Sequence, residues 1–119
     1  MSHPLEQALG HVFKTPGLLQ TALTHRSHSS PHNERLEFLG DRVLGLCVAE
    51  MLFRTFREAK EGELSVRLNQ LVSAESCAAV SDDLGLHRFI RTGADVKKLT
   101  GKAMLNVRAD VVESLIAAI

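Results

Sequence analysis

Five carboxylates in this sequence stand among residues that would otherwise form helix core. Glu34, Glu37 and Asp41 are spaced by three and four residues, which on a helix lines them down one face. Leu36, Phe38, Leu39, Val43 and Leu44 surround them. Asp110 and Glu113, at i and i+3, share a face of a second segment that runs on into Leu115 and Ile116. Taken singly, each acid reads as a solvated helix edge or as a partner of Arg35, Arg42 or Arg108. Taken together, they sit on helices too apolar to offer wide solvent faces. If the two groups face each other, any two carboxylates about 6 Å apart repel by about 3 kcal/mol at an effective dielectric of about 20. Hard divalent cations offset such repulsion, and an oxygen-only donor set selects magnesium or manganese over zinc. A site of this kind holds phosphates, orients a water and stabilises the leaving oxygen of an in-line displacement. No Gly-rich loop followed by Lys-Ser/Thr is present, so a nucleic-acid phosphodiester is a better substrate candidate than a nucleoside triphosphate.

The elements that must position these acids read as helical nearly throughout. Leu5, Ala8, Leu9, Val12 and Phe13 repeat at three and four residues until Thr15-Pro16-Gly17 interrupts them. Leu18 to Leu23 makes a second short helix, and Ser27 to Pro31 a polar loop. Asn33 is the expected N-cap of a helix reaching about Phe56, with Glu34 in its first turn. That helix is apolar on almost every face, which predicts burial, partly against another subunit. A charged connection, Arg57 to Glu63, hinges at Gly62. Leu64, Leu68, Leu71 and Val72 mark the next helix. Ser73 caps a further one that stops at Gly85. Leu86, Phe89 and Ile90 suggest one turn, Thr92 to Lys102 a basic loop, and Ala103 to Ile119 the last helix. No segment alternates with period two, so the expected class is all-α.

Composition bounds the function. The chain has 119 residues, 14 Lys+Arg against 14 Asp+Glu, and 45% hydrophobic residues, which suits one globular domain. Aromatics are 4%, without Trp or Tyr, which argues against a single-strand binder built on stacking. Zero net charge argues against a module that grips phosphates by electrostatics alone. One stretch is basic: between Leu84 and Arg108, the residues Arg88, Arg91, Lys97, Lys98, Lys102 and Arg108 face only Asp95, and they form either a polyanion contact or a solvated loop. There is no membrane span and no secretion signal, and Cys47 and Cys77 sit among apolar residues. The expected setting is the cytoplasm, with both thiols buried, free and inert. Of the histidines, His25 is expected to hold a loop, while His28 and His32 read as solvated loop residues rather than a metal pair. The apolar end, Ile116-Ala117-Ala118-Ile119, suggests a chain cut from a longer protein.

The run His32-Asn33-Glu34-Arg35-Leu36-Glu37-Phe38-Leu39-Gly40-Asp41 resembles the signature of the ribonuclease III family. Three companions follow the family's order: Ala22-Leu23-Thr24-His25-Arg26-Ser27, Glu61-Gly62-Glu63-Leu64-Ser65, and Ala109 to Ile116. The resemblance implies that residues 1–119 are the all-α, homodimeric endonuclease domain, with a C-terminal double-stranded-RNA-binding domain expected in the full-length protein. It implies cleavage of double-stranded RNA by metal-activated water, leaving staggered ends with 5′-phosphates and 3′-hydroxyls, in the processing of ribosomal and messenger RNA. By resemblance, Glu37, Asp41, Asp110 and Glu113 match the magnesium positions, with Asp41 and Glu113 catalytic and manganese able to substitute. Glu34 and Glu61 match further acids near the cleavage centre, Glu61 on the partner's side of the cleft. Phe38 matches an aromatic that plugs a pocket in the other subunit. Arg108 departs from the family, which usually has an apolar residue there; it could pair with an acid, touch phosphate or compete with the metal at Asp110. A non-catalytic relative kept for dimerisation or duplex binding would be expected to lose one or more metal acids, and all four stand. A helical protein-interaction domain with surface acids leaves the ordered motifs unexplained.

Overall fold

A computed structural model describes residues 3–94 and 101–119. The chain folds as α1 (Pro4–Leu9), α2 (Pro16–Ala22), α3 (Glu34–Thr55), α4 (Glu61–Leu71), α5 (Ala74–Leu84), a short 3₁₀ turn (Leu86–Arg88) and α6 (Gly101–Ala118). Among the described residues the only extended pairing is an isolated parallel bridge between Thr24 and Arg91. The all-α expectation holds.

Local chemistry explains most boundaries. At the start of α1, His3 Nδ1 accepts from the Leu5 N–H, while the Glu6 carboxylate accepts from the His3 N–H at 2.8 Å. The helix is shorter than its apolar spacing suggests, because Gly10 turns left-handed at φ 66° and the Phe13 N–H is taken by Glu6. Ser73 caps α5 as expected, accepting from the Ser76 N–H at 3.1 Å, and Gly85 ends α5 at φ 66°. One local expectation fails and another holds in position only. Gly62 is no hinge: the extended Lys60 caps α4, placing Glu61, Gly62 and Glu63 in its first turn, where the carboxylates suit the helix dipole. Asn33 stands at the N-cap of α3, but its side chain makes no cap bond. Its Nδ2 donates instead to the Ala22 carbonyl at 3.3 Å, because the residue is buried at the junction with α2.

α6, rather than α3, is the buried axis of the molecule. Val107 is buried, and Ala109, Val111, Val112, Leu115 and Ala118 are buried in a core shared with Leu5, Leu19, Leu23, Cys77 and Leu86. α6 packs along α3 on one side and α5 on the other. The expected burial of α3 is corrected: only Gly40 and Leu52 are buried, while Phe38, Leu39, Leu46, Met51 and Phe53 are more than half exposed. Cys47 is likewise exposed, against expectation, because it lies on this uncovered helix; Cys77 is buried as expected. α4 buries no residue and packs chiefly on α3. The radius of gyration, 15.2 Å, exceeds the roughly 13.5 Å of a compact domain of this length.

Of the basic stretch, Lys97, Lys98 and Asp95 lie outside the described residues, as does most of the expected loop. Of the described members, Arg88 stacks on Phe89, Arg91 reaches Gln20 and Arg108 bonds Asp82.

Candidate active site

The acids of α3 and α6 meet because the two helices touch at Gly40. A Cβ at that position would strike the backbone carbonyl of Glu113, so only glycine permits the approach. Gly40 lies between Glu37 and Asp41, and Glu113 lies opposite. Ser114 fastens the crossing. Its fully buried hydroxyl lies 2.7 Å from the Asp110 carbonyl and 3.2 Å from the Asn33 carbonyl, sharing its one proton between them. The Asn33 N–H in turn donates to the Thr24 carbonyl at 2.9 Å, and the same Asn33 carbonyl accepts from the Glu37 N–H at 2.8 Å. Neither Gly40 nor Ser114 stands out as functional in the sequence. A glycine inside a helical stripe of acids is the signal for the first, since it weakens a helix and calls for a packing reason.

One carboxylate oxygen from each of Glu37, Asp110 and Glu113 lies within 4.8 Å of the others. Among the described residues this is the one group of three or more metal-ligating side chains that converges. Asp41 stands beside this group on α3, near enough to Glu113 to raise its pKa, while Arg42 bonds Asp41 from outside at 3.1 Å. Burial, then the neighbouring Asp41 carboxylate, then the charges of Glu37 and Asp110 push the Glu113 carboxyl up to about 8. Burial and the charge of Glu37 push Asp110 up to about 6, against the opposing pull of Arg26. Such a cluster fits a hard divalent cation: its donors are all oxygen, and a cation would relieve both the burial cost and the repulsion.

The remaining sequence-predicted residues fall outside the cluster. Glu34 is exposed and bonds the Arg26 guanidinium at 2.8 Å, which holds its carboxyl below the usual range. Glu61 opens α4, beyond the far end of α3; Asp41 and Thr55 are separated by about 21 Å of helix at 1.5 Å per residue. Phe38 is 61% exposed, with Arg42 stacked 4.0 Å above its ring. Arg108 turns to α5, where it bonds Asp82 at 3.0 and 3.3 Å, so of its three alternatives the ion pair is realised, with an acid outside the cluster. Cys77 lies close enough to the acids for their charges to add to its burial, and its thiol is pushed up to about 11. It is inert, as expected. His25 holds its loop as expected: Nδ1 accepts from the Ser27 N–H at 3.1 Å and the Ser27 hydroxyl at 2.7 Å.

A Ribonuclease-III-like family model matches residues 15–119. The ribonuclease 3 of Agrobacterium fabrum (strain C58 / ATCC 33970) is 73% identical over 118 residues, covering 97% of this chain and 49% of that protein. That of Rhizobium rhizogenes (strain K84 / ATCC BAA-868) matches at the same identity and coverage. The chain thus spans about half the length of these relatives. Among solved structures, the nuclease domain of ribonuclease III from Campylobacter jejuni, described as flexible in a region involved in dimer formation, superposes with a TM-score of 0.90 at 42% identity. The match covers 96% of this chain and 80% of that one. Dicer from Pichia stipitis is more distant, with a TM-score of 0.69 at 32% identity over 89% of this chain and 45% of its own. Among the described residues no helix is long and apolar enough to cross a membrane.

Proposed function

Since the chain belongs to the ribonuclease III family, we propose that it is the catalytic part of a magnesium-dependent endoribonuclease that cuts double-stranded RNA in the cytoplasm during RNA processing. The observation that carries this reading is the convergence of Glu37, Asp110 and Glu113, with Asp41 against Glu113, at a helix crossing that only glycine permits. Glu37, Asp110 and Glu113 would hold the ion, and manganese could replace magnesium. When bound, the ion supplies neutralising charge at the phosphate and a lowered pKa for the attacking water. The protein contributes geometry and charge. Ser114 and Gly40 fix the spacing of the acids, while Asp41, on the facing helix beside Glu113, adds a further carboxylate to the site. Glu113 and Asp110 must both be ionised to hold a cation, so their raised pKa values make metal affinity increase with pH. The products are strands with 5′-phosphates and 3′-hydroxyls.

The active form is a homodimer, a reading supported by the uncovered face of α3. A cavity of about 360 Å³ lined by Phe53, Phe56, Ala59 and Leu64 receives Phe38 of a second copy. A cavity of about 150 Å³ already holds a benzene ring, so a phenyl group has ample room. Phe38 lies between Glu37 and Asp41, and the cavity wall flanks Glu61 in sequence. Seating one in the other therefore brings Glu61 of the second copy toward this acid cluster. Each copy cuts one strand, which gives staggered ends. Residues 1–119 form the endonuclease domain, and the full-length protein adds a double-stranded-RNA-binding domain, in keeping with relatives twice as long.

The test is incubation of a long perfect RNA duplex with the chain, in magnesium and in chelator, with both ends of the products mapped. Staggered 5′-phosphate products that vanish in chelator and in Glu113→Gln are expected. A stable dimer that binds the duplex and leaves it intact would instead establish the non-catalytic reading.

A further inference from the structure

A second concavity, of about 520 Å³, opens beside Asp110. One wall is the α2–α3 connection, with His25, Arg26 and Ser27; the other is the face of α6 that carries Asn106 and Asp110. The loop wall is firmly built. The His25 N–H donates to the Arg91 carbonyl at 2.8 Å, the Arg91 N–H to the Leu23 carbonyl at 2.8 Å, and the Gly93 N–H to the Ser27 hydroxyl at 2.9 Å. Burial and the neighbouring charge of Arg26 lower the His25 pKa, which disfavours its charged form. Arg26 is therefore the cation among the described residues of this lining. Its Nη1 donates to Glu34 at 2.8 Å, yet its side chain remains 67% exposed. A guanidinium has five N–H donors in a planar fork, so one engaged by a carboxylate still has a free edge for a phosphate. The Arg26 charge also reaches Asp110, which places it within electrostatic range of the acid cluster.

We propose that this cavity is a substrate subsite in which Arg26, positioned by Glu34, pairs with a backbone phosphate of the RNA strand beside the cleaved bond. Glu34 then acts on the substrate through Arg26, not on the metal. The proposal rests on duplex RNA being the substrate.

The experiment measures duplex binding in chelator, between about 50 and 200 mM salt, and single-turnover cleavage in magnesium. It compares the full chain with Arg26→Ala, Arg26→Lys and Glu34→Gln. Arg26→Ala is expected to weaken binding about tenfold, as for one lost charge-assisted bond. It should also reduce the logarithmic salt slope by about one. Arg26→Lys keeps the slope because the charge remains. Glu34→Gln weakens binding at an unchanged slope, because it frees Arg26 without removing it. A slope unaltered by Arg26→Ala, with the change confined to melting temperature or to cleavage rate at saturating RNA, would overturn the proposal and make Arg26 a loop tie. If the unsubstituted chain neither binds nor cuts the duplex, the functional reading itself falls and the subsite with it.

Discussion

Glu113 is a carboxylate whose surroundings disfavour its charge, and this has a consequence for stability with a definite sign. Its folded pKa is raised from 4.5 to about 8, and that of Asp110 from 3.8 to about 6. Within those windows the folded protein binds more protons than the unfolded chain, so metal-free stability falls as pH rises. Melting in chelator should therefore give a lower Tm at about pH 8 than at about pH 5.5, and added magnesium should raise Tm more at the higher pH. Glu113→Gln should raise the chelator Tm at about pH 8 while cutting cleavage at least about a hundredfold; a lower Tm would mean that the carboxylate is not strained. Arg108 makes the opposite case. Its pair with Asp82 is half solvated, so Arg108→Leu should change stability by less than about 1 kcal/mol and leave cleavage within about twofold, by urea melts and initial rates. The acids were legible in the sequence because a spacing of three or four fixes a helix face. The partner of Arg108, 26 residues away on another helix, was not.

At the scale of elements, α3 and α6 form one unit that carries the acid cluster, and their separation is set by Gly40. Gly40→Ala must move the helices apart at the crossing. We expect a loss of about 2–3 kcal/mol by chemical denaturation, with cleavage falling further than stability explains, since the acid pairs widen together. A variant that keeps full activity would show that the crossing has slack. The sequence showed where these helices begin and end wherever one residue decides the matter, as Ser73 and Gly85 do through a single bond or a left-handed φ. It placed Asn33 correctly at the start of α3 without showing that its side chain turns to α2, and it misled at Gly62, where the extended Lys60 decides instead. It read α3 as buried partly against another subunit, because an apolar helix announces that something must cover it; how little of that cover lies within the chain was not legible.

For the molecule as a whole, the uncovered face from Phe38 to Phe53 predicts that stability and pairing are coupled. The Tm should rise with protein concentration, and Phe38→Ala should shift the sedimenting species toward monomer and reduce that dependence, without altering the charges of the acid cluster. A monomeric parent chain with a concentration-independent Tm would remove the basis for the dimer. The same face governs the first moments of the chain's existence. In the proposed dimer, two copies find each other by diffusion, and at about 100 nM, with association constants of about 10⁵–10⁷ M⁻¹s⁻¹, each waits roughly 1 to 100 s. Throughout that wait, Leu46, Met51 and Phe53 are open to chaperones and proteases. On that reading the supply of the proposed dimer depends on how often the message is translated as well as on how much protein is made, because slow synthesis lengthens the vulnerable interval of every copy.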